Sequence, residues 1–155
     1  MRAFYIILIA GLIISCGKKP DGNAVNEMPA LRFSLLSGEQ KMANELTGKS
    51  ILIFYSPDCD HCQREAQDLQ KHINAFRNYD IYFISASLPE DAQLFAQTYG
   101  LHEQNNITFA LATYEDVIRI MGPMPTPTVF IYSNEKRLVK KFAGETNVEE
   151  MIPYL

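Results

Sequence analysis

The sequence has no cluster of basic residues. It sets 14 Lys+Arg against 18 Asp+Glu, for a formal net charge of -4, and a chain without a basic face lacks the electrostatic footprint of a nucleic-acid binder. Nucleic acid is therefore not an expected partner. No apolar run is long enough to cross a bilayer; the longest, Ala3 to Ile14, is about half of the ~20 residues such a helix requires. Internal repeats and low-complexity tracts are missing too. With 47% hydrophobic and 21% charged residues, the composition is that of one packed domain, not of a disordered or collagen-like chain. Cysteine is scarce. Of the three present, at positions 16, 59 and 62, two can pair and the third needs a separate explanation.

That third cysteine ends the apolar run. Arg2 precedes a stretch of signal-peptide length, and its ending, Ile13-Ile14-Ser15-Cys16, resembles the bacterial lipobox, in which the cysteine is lipidated and becomes the mature N-terminus. On this reading residues 1–15 are a lipoprotein signal peptide, Cys16 is the lipidation site, and acyl chains attach the mature chain to a membrane. The segment up to residue 29 is rich in Gly, Lys, Asp, Asn and Pro. It cannot bury enough surface to fold, so residues 16–29 read as the lipidated N-terminus and a flexible tether. Residues 30–155 are the expected domain, in a bacterial cell envelope and facing the periplasm.

Within that domain Leu31 to Leu35 alternates as a half-buried strand, and a turn at Ser37-Gly38-Glu39 leads to an expected helical stretch from Lys41 to Leu46. Ser50 to Tyr55 is a continuous apolar run of the kind buried on both faces of a sheet. From Cys59 the period changes: Cys62, Ala66, Leu69, Ile73 and Phe76 recur at helical spacing, predicting an amphipathic helix of about four turns. A strand over Ile81 to Ala86, a helix from Pro89 to Tyr99, a strand over Ile107 to Leu111 and a helix from Tyr114 to Met121 follow. A hairpin of Thr128 to Tyr132 with Leu138 to Phe142 and a last helix from Val148 to Leu155 complete an alternating β/α order, which predicts a three-layer α/β/α sandwich.

Cys59-Asp60-His61-Cys62 falls where a buried strand gives way to a helix, so both sulfurs lie in the helix's first turn. Residues three apart on a helix are separated by about 5 to 6 Å, suited to a disulfide. The unpaired N–H groups and positive dipole end there favour a thiolate at Cys59, making it the attacking sulfur, with Cys62 as the resolving thiol. A purely structural disulfide would add little, because closing so short a loop removes about 2 kcal/mol of unfolded-state entropy. A metal site is the sharper rival: two thiolates with a histidine can hold Zn or Cu(I). The mature chain has too few cysteines for a four-Cys site, His72 lies about 15 Å along the same helix, and His102 follows Gly100 in an expected loop.

With the strand-CxxC-helix unit, Thr126-Pro127-Thr128 before a buried strand, and the β/α order, the chain resembles the thioredoxin-like superfamily. Within it the chain is most similar to periplasmic thiol-disulfide oxidoreductases of the TlpA/ResA type, over roughly residues 29 to 155. The resemblance implies a thioredoxin-like α/β fold with a mixed central sheet, a redox-active disulfide between Cys59 and Cys62, and a cis-proline at Pro127 packed against the CxxC. It further implies substrate pairing with the backbone at Thr126. Glu65 matches a glutamate beside the family's active site that could accept the Cys62 proton. Asp60 and His61, between the cysteines, are candidate substrate contacts. Neither a cofactor nor a metal is implied.

Three positions depart from the pattern. Ile53 stands where thioredoxin has a buried acid, Asp58 replaces the aromatic residue often found before the CxxC, and Gln67 replaces a proline. Protonated His61 favours a thiolate at Cys59 while Asp58 and Asp60 disfavour it, each worth on the order of 1 kcal/mol, so residue types leave the redox direction open. The expected function is that of a lipid-anchored reductase of disulfides in exported proteins, supplied with electrons by a membrane-linked dithiol donor. A periplasmic Cu(I)/Zn carrier and an oxidant or isomerase of exported dithiols are the alternatives. A peroxidase of the peroxiredoxin kind would need a catalytic threonine that is missing around Cys59.

Overall fold

The computed structural model describes residues 27–155. The expected signal peptide, Cys16 and most of the tether lie outside these residues.

The elements are β1 (Arg32–Leu35), β2 (Gln40–Met42), β3 (Ser50–Phe54), α1 (Asp60–Lys71), β4 (Asp80–Ser85), α2 (Pro89–Thr98), β5 (Ile107–Leu111), α3 (Tyr114–Met121), β6 (Thr128–Tyr132), β7 (Leu138–Ala143) and α4 (Val148–Met151). All the strands join one sheet in the order β2-β1-β5-β4-β3-β6-β7. β3, β4 and β5 run parallel, whereas β6 is antiparallel to β3, β7 to β6, β1 to β5 and β2 to β1. The sheet is therefore mixed.

β3 and β6 are buried at every residue, which explains why their sequences run apolar without alternation. Successive side chains of β3 still point to opposite faces and serve two cores. Ile51 and Ile53, continued by Tyr55, meet Cys62, Leu69, Phe95 and Met151 from α1, α2 and α4. Leu52 and Phe54 meet Phe33, Phe130 and the partly buried Val117 and Ile120 of α3 on the other side. Helices thus cover both faces, and the expected three-layer α/β/α sandwich with a mixed central sheet is present. Below the CxxC the first core is aromatic: Tyr55 and Phe95 lie 4.7 Å apart between centroids, and Phe83 stacks on Phe109 at 5.0 Å. Such pairs add to burial through their ring quadrupoles.

The fold departs from expectation at three places. The helix expected to reach Phe76 ends as α1 at Lys71 and gives way to a 3-10 turn over Ile73–Phe76. Gln40–Met42, part of the expected helical stretch, is a strand paired with β1, followed by a 3-10 turn at Ala43–Glu45. Pairing across the turn, with the Ala43 N–H on Leu31 O at 2.9 Å, overrides the local helical tendency. The last helix stops at Met151 and continues as a 3-10 turn over Ile152–Tyr154, because Pro153 has no N–H to donate to a continuing α-helix. Glu27 and Met28 also contact the domain. Met28 is buried, and the Glu27 carboxylate accepts from the Leu138 N–H at 2.5 Å.

Candidate active site

β3 delivers the chain to the C-terminal end of the central strands and Ser56-Pro57-Asp58 turns it into α1. Cys59 is the N-cap, its backbone extended and its carbonyl accepting the first helical bond from the Gln63 N–H at 3.0 Å. No side chain caps this end, so the first-turn N–H groups and the positive end of the dipole stay available to the sulfur. Cys59 is half-buried and Cys62 is buried, both as free thiols. The two differ in acidity. Partial burial raises the Cys59 thiol, but hydrogen bonds from the Cys62 thiol, the Cys62 and His61 N–H groups and Thr126 outweigh it and hold Cys59 below the ordinary thiol value. Burial pushes Cys62 up to about 12, against a hydrogen bond from the Ser56 backbone. At neutral pH Cys59 is the more acidic and more accessible thiol, and Cys62 keeps its proton.

The buried side of α1 carries Glu65, only 4% exposed. Burial pushes its carboxyl up to about 7, although the Thr146 N–H donates to Oε2 at 3.0 Å and favours the charged form. The acid is therefore poised to exchange a proton near neutrality, one helical turn from Cys62.

On the exposed side of the same turn is an arrangement the sequence did not announce. Arg64 grips Glu145 with both arms, Nε donating to Oε1 at 2.7 Å and Nη2 to Oε2 at 2.6 Å. His61 Nδ1 lies 2.6 Å from the same Oε2. A carboxylate only accepts, so Nδ1 carries the proton, and the 2.8 Å approach of Arg64 Nη2 to Nδ1 brings together two donors sharing one acceptor. Arg64, then His61, hold the Glu145 carboxyl down at about 2. Asp60 opens α1 and is exposed, and Asp58 accepts from the Ser56 hydroxyl.

The third wall is the loop before β6. The Thr126-Pro127 peptide bond is cis, and the Cys59 thiol donates to Thr126 O at 3.5 Å. The Gly144 N–H donates to Pro127 O at 2.8 Å, with Gly144 at a φ of 91° that side-chain-bearing residues rarely adopt. The segment from Gly144 to Thr146 therefore bridges the cis-proline and both faces of α1. Beside these residues opens a groove of about 790 Å³ lined by Tyr55, Asp58, Leu94, Tyr114 and Thr126. The Tyr55 hydroxyl on it is buried without a hydrogen-bond partner among the described residues.

Of the sequence candidates, Cys59, Cys62, Glu65, Asp60, His61, Thr126 and Pro127 fall in this one region, and Cys16 lies outside the described residues. His72 bonds to Asp68 and His102 to Ala96 O; His102 sits in a 3-10 turn rather than a loop. Among the described residues no group of three His, Cys, Asp or Glu side chains comes together to hold an ion. Arg64, Glu145, Thr146 and Tyr55 were missed. Arg64 was accessible in principle, three positions after His61 on the same helix, whereas Glu145 follows it by 81 residues and carries no local signal.

The AhpC/TSA family profile matches residues 24–141. Two relatives are the thiol-disulfide oxidoreductases ResA of Bacillus thuringiensis (strain Al Hakam), 23% identical over 133 residues, and of Bacillus subtilis (strain 168), 24% identical over 120. The first alignment spans 83% of this chain and 75% of ResA; the second spans 75% and 64%. A secreted Mycobacterium tuberculosis disulfide oxidoreductase homologous to E. coli DsbE superposes with a TM-score of 0.67 at 18% identity, covering 81% of this chain and 93% of the other. Arabidopsis thaliana ScoI with copper bound superposes with a TM-score of 0.64 at 14% identity, covering 81% and 92%. At such identities the superpositions show a shared thioredoxin-like fold. With the profile spanning most of its length, the chain belongs to the AhpC/TSA family.

Proposed function

We propose that this chain is a thiol-disulfide oxidoreductase that reduces disulfides of exported proteins, held at a bacterial membrane by lipid on Cys16 and recharged by a membrane-linked dithiol donor. The observation that carries the reading is the inequality of the two thiols: Cys59 is accessible and acidified, whereas Cys62 is buried and keeps its proton. A structural disulfide needs no such asymmetry, while exchange chemistry does. The ResA relatives support the activity, and the apolar leader ending in Cys16 supports the anchoring.

In the forward direction the Cys59 thiolate attacks one sulfur of the substrate disulfide. A mixed disulfide forms and the substrate's other sulfur leaves as a thiolate. Cys62 then passes its proton to Glu65 and attacks the Cys59 sulfur, releasing the second substrate thiolate and leaving Cys59-Cys62 oxidised. Two electrons have passed to the substrate. On this reading Thr126 O, which accepts from the Cys59 thiol at 3.5 Å, pairs with the backbone of an extended substrate, and the adjoining groove takes its flanking residues.

The test is an equilibrium titration of the purified chain against glutathione, with a doubly alkylated control. The reductase reading expects a potential near or below about -250 mV and no exchange after alkylation. A value above about -180 mV would make the chain an oxidant or isomerase, and full activity after alkylation would end the dithiol mechanism.

A further inference from the structure

We propose that Arg64 and Glu145 form a charge pair that sets the thiol reactivity and reduction potential of the Cys59-Cys62 couple, with Glu145 a positioning residue acting through Arg64 and His61. The inference rests on the exchange reading above and says what tunes it. Glu145 lies beyond the residues matched by the family profile, whereas Arg64 lies within them.

The argument begins with how Glu145 is held. Its neighbours are fixed by backbone bonds independent of its side chain: the Gly144 N–H on Pro127 O at 2.8 Å and the Thr146 N–H on Glu65 Oε2 at 3.0 Å. The carboxylate is thus aimed at α1 before Arg64 engages it, and changing its charge need not move the loop. Arg64 in turn is within electrostatic reach of Cys59 and Asp60. While Glu145 occupies both arms of the guanidinium and faces His61 Nδ1, the positive charge of Arg64 is offset by a carboxylate next to it. Without it, one unopposed positive charge would favour the Cys59 thiolate. A stabilised thiolate stabilises the dithiol form and makes the couple more oxidising.

The remaining charged groups around the couple do not replace this pair. Asp58 is bonded to the Ser56 hydroxyl, Glu65 faces the buried side, and Asp68 accepts from the Val148 N–H at 2.8 Å. The Thr126-Pro127 loop brings no charge. Asp60 is exposed and sits beside Arg64, and the tests below leave it in place.

Full-length chain, Glu145→Gln, Arg64→Gln and the double variant are compared by glutathione titration and by the pH profile of Cys59 alkylation, with a thermal melt to establish folding. For Glu145→Gln the alkylation midpoint should fall by about 0.7 of a pH unit. Above the midpoints of both proteins the couple should shift about fivefold toward the dithiol, equal to ~21 mV for two electrons. Arg64→Gln should shift the other way by a similar factor, and the double variant should return to the parent. The Glu145→Gln difference should vanish at pH values well below both measured alkylation midpoints, where Cys59 holds its proton in both proteins; simple loop distortion would not give that convergence. Unchanged midpoint and potential in folded Glu145→Gln would overturn the proposal, as would a difference that persists well below both midpoints. If the parent exchanges no electrons with glutathione, the enzymatic reading fails, while the alkylation profiles still decide the role of the pair.

Discussion

The two faces of the first turns of α1 solve opposite electrostatic problems. Inward, Cys62 and Glu65 are 2% and 4% exposed, and desolvation pushes both toward their neutral forms. Outward, His61 and Arg64 keep 63% and 52% of their side-chain surface in water, and Glu145 meets them as a charged partner. Burial controls the timing of the resolving thiol, whereas solvated charge controls the ease of forming the attacking thiolate. A helix end divided in this way can protect one sulfur and activate its neighbour three residues away.

Changes on the inner face should have the larger effects. Cys59→Ser should abolish exchange, and Cys62→Ser should accumulate a mixed disulfide with substrate, visible as an added mass on non-reducing electrophoresis. Glu65→Gln should slow decay of the mixed disulfide by about 100-fold near pH 7, the range typical of a positioned proton acceptor; an unchanged rate would leave Glu65 no part in proton transfer. Glu65 also affects folding. Its folded value of about 7 lies above the ordinary 4.5, so its contribution is fully present below pH 4.5 and is lost as the pH rises through 7. The difference is about 3 kcal/mol. Urea melts of the parent should therefore lose stability between pH 4.5 and 8, and Glu65→Gln should flatten that slope. On the outer face Glu145→Gln should change the potential and the Cys59 profile by the smaller amounts given above, and should ease the upward push that the Glu145 charge adds to Glu65. A larger effect there than at Glu65 would reverse the comparison.

The contrast also marks what a sequence can disclose. Both faces of the sheet were legible, because unbroken apolar runs at Ser50 to Phe54 and Thr128 to Tyr132 can only be strands covered on two sides, and the change to helical spacing at Cys59 located the dithiol. Glu65 was legible because it shares a helix with Cys62. The partners contributed across the fold were not: Thr146 and Glu145 reach α1 through a loop whose placement depends on β7 pairing with β6 and on Gly144. Short segments at the rim misled for a related reason. Gln40–Met42 carries no strand pattern and becomes one only because β1 is beside it.

The most direct test of the account is mass-resolved alkylation of the two thiols in the reduced, folded chain as a function of pH. The account predicts that Cys59 is modified with a midpoint below the ordinary thiol value of 9.0, while Cys62 stays unmodified until the protein unfolds or the pH approaches about 12. Equal labelling of both cysteines, or labelling of Cys62 first, would contradict it.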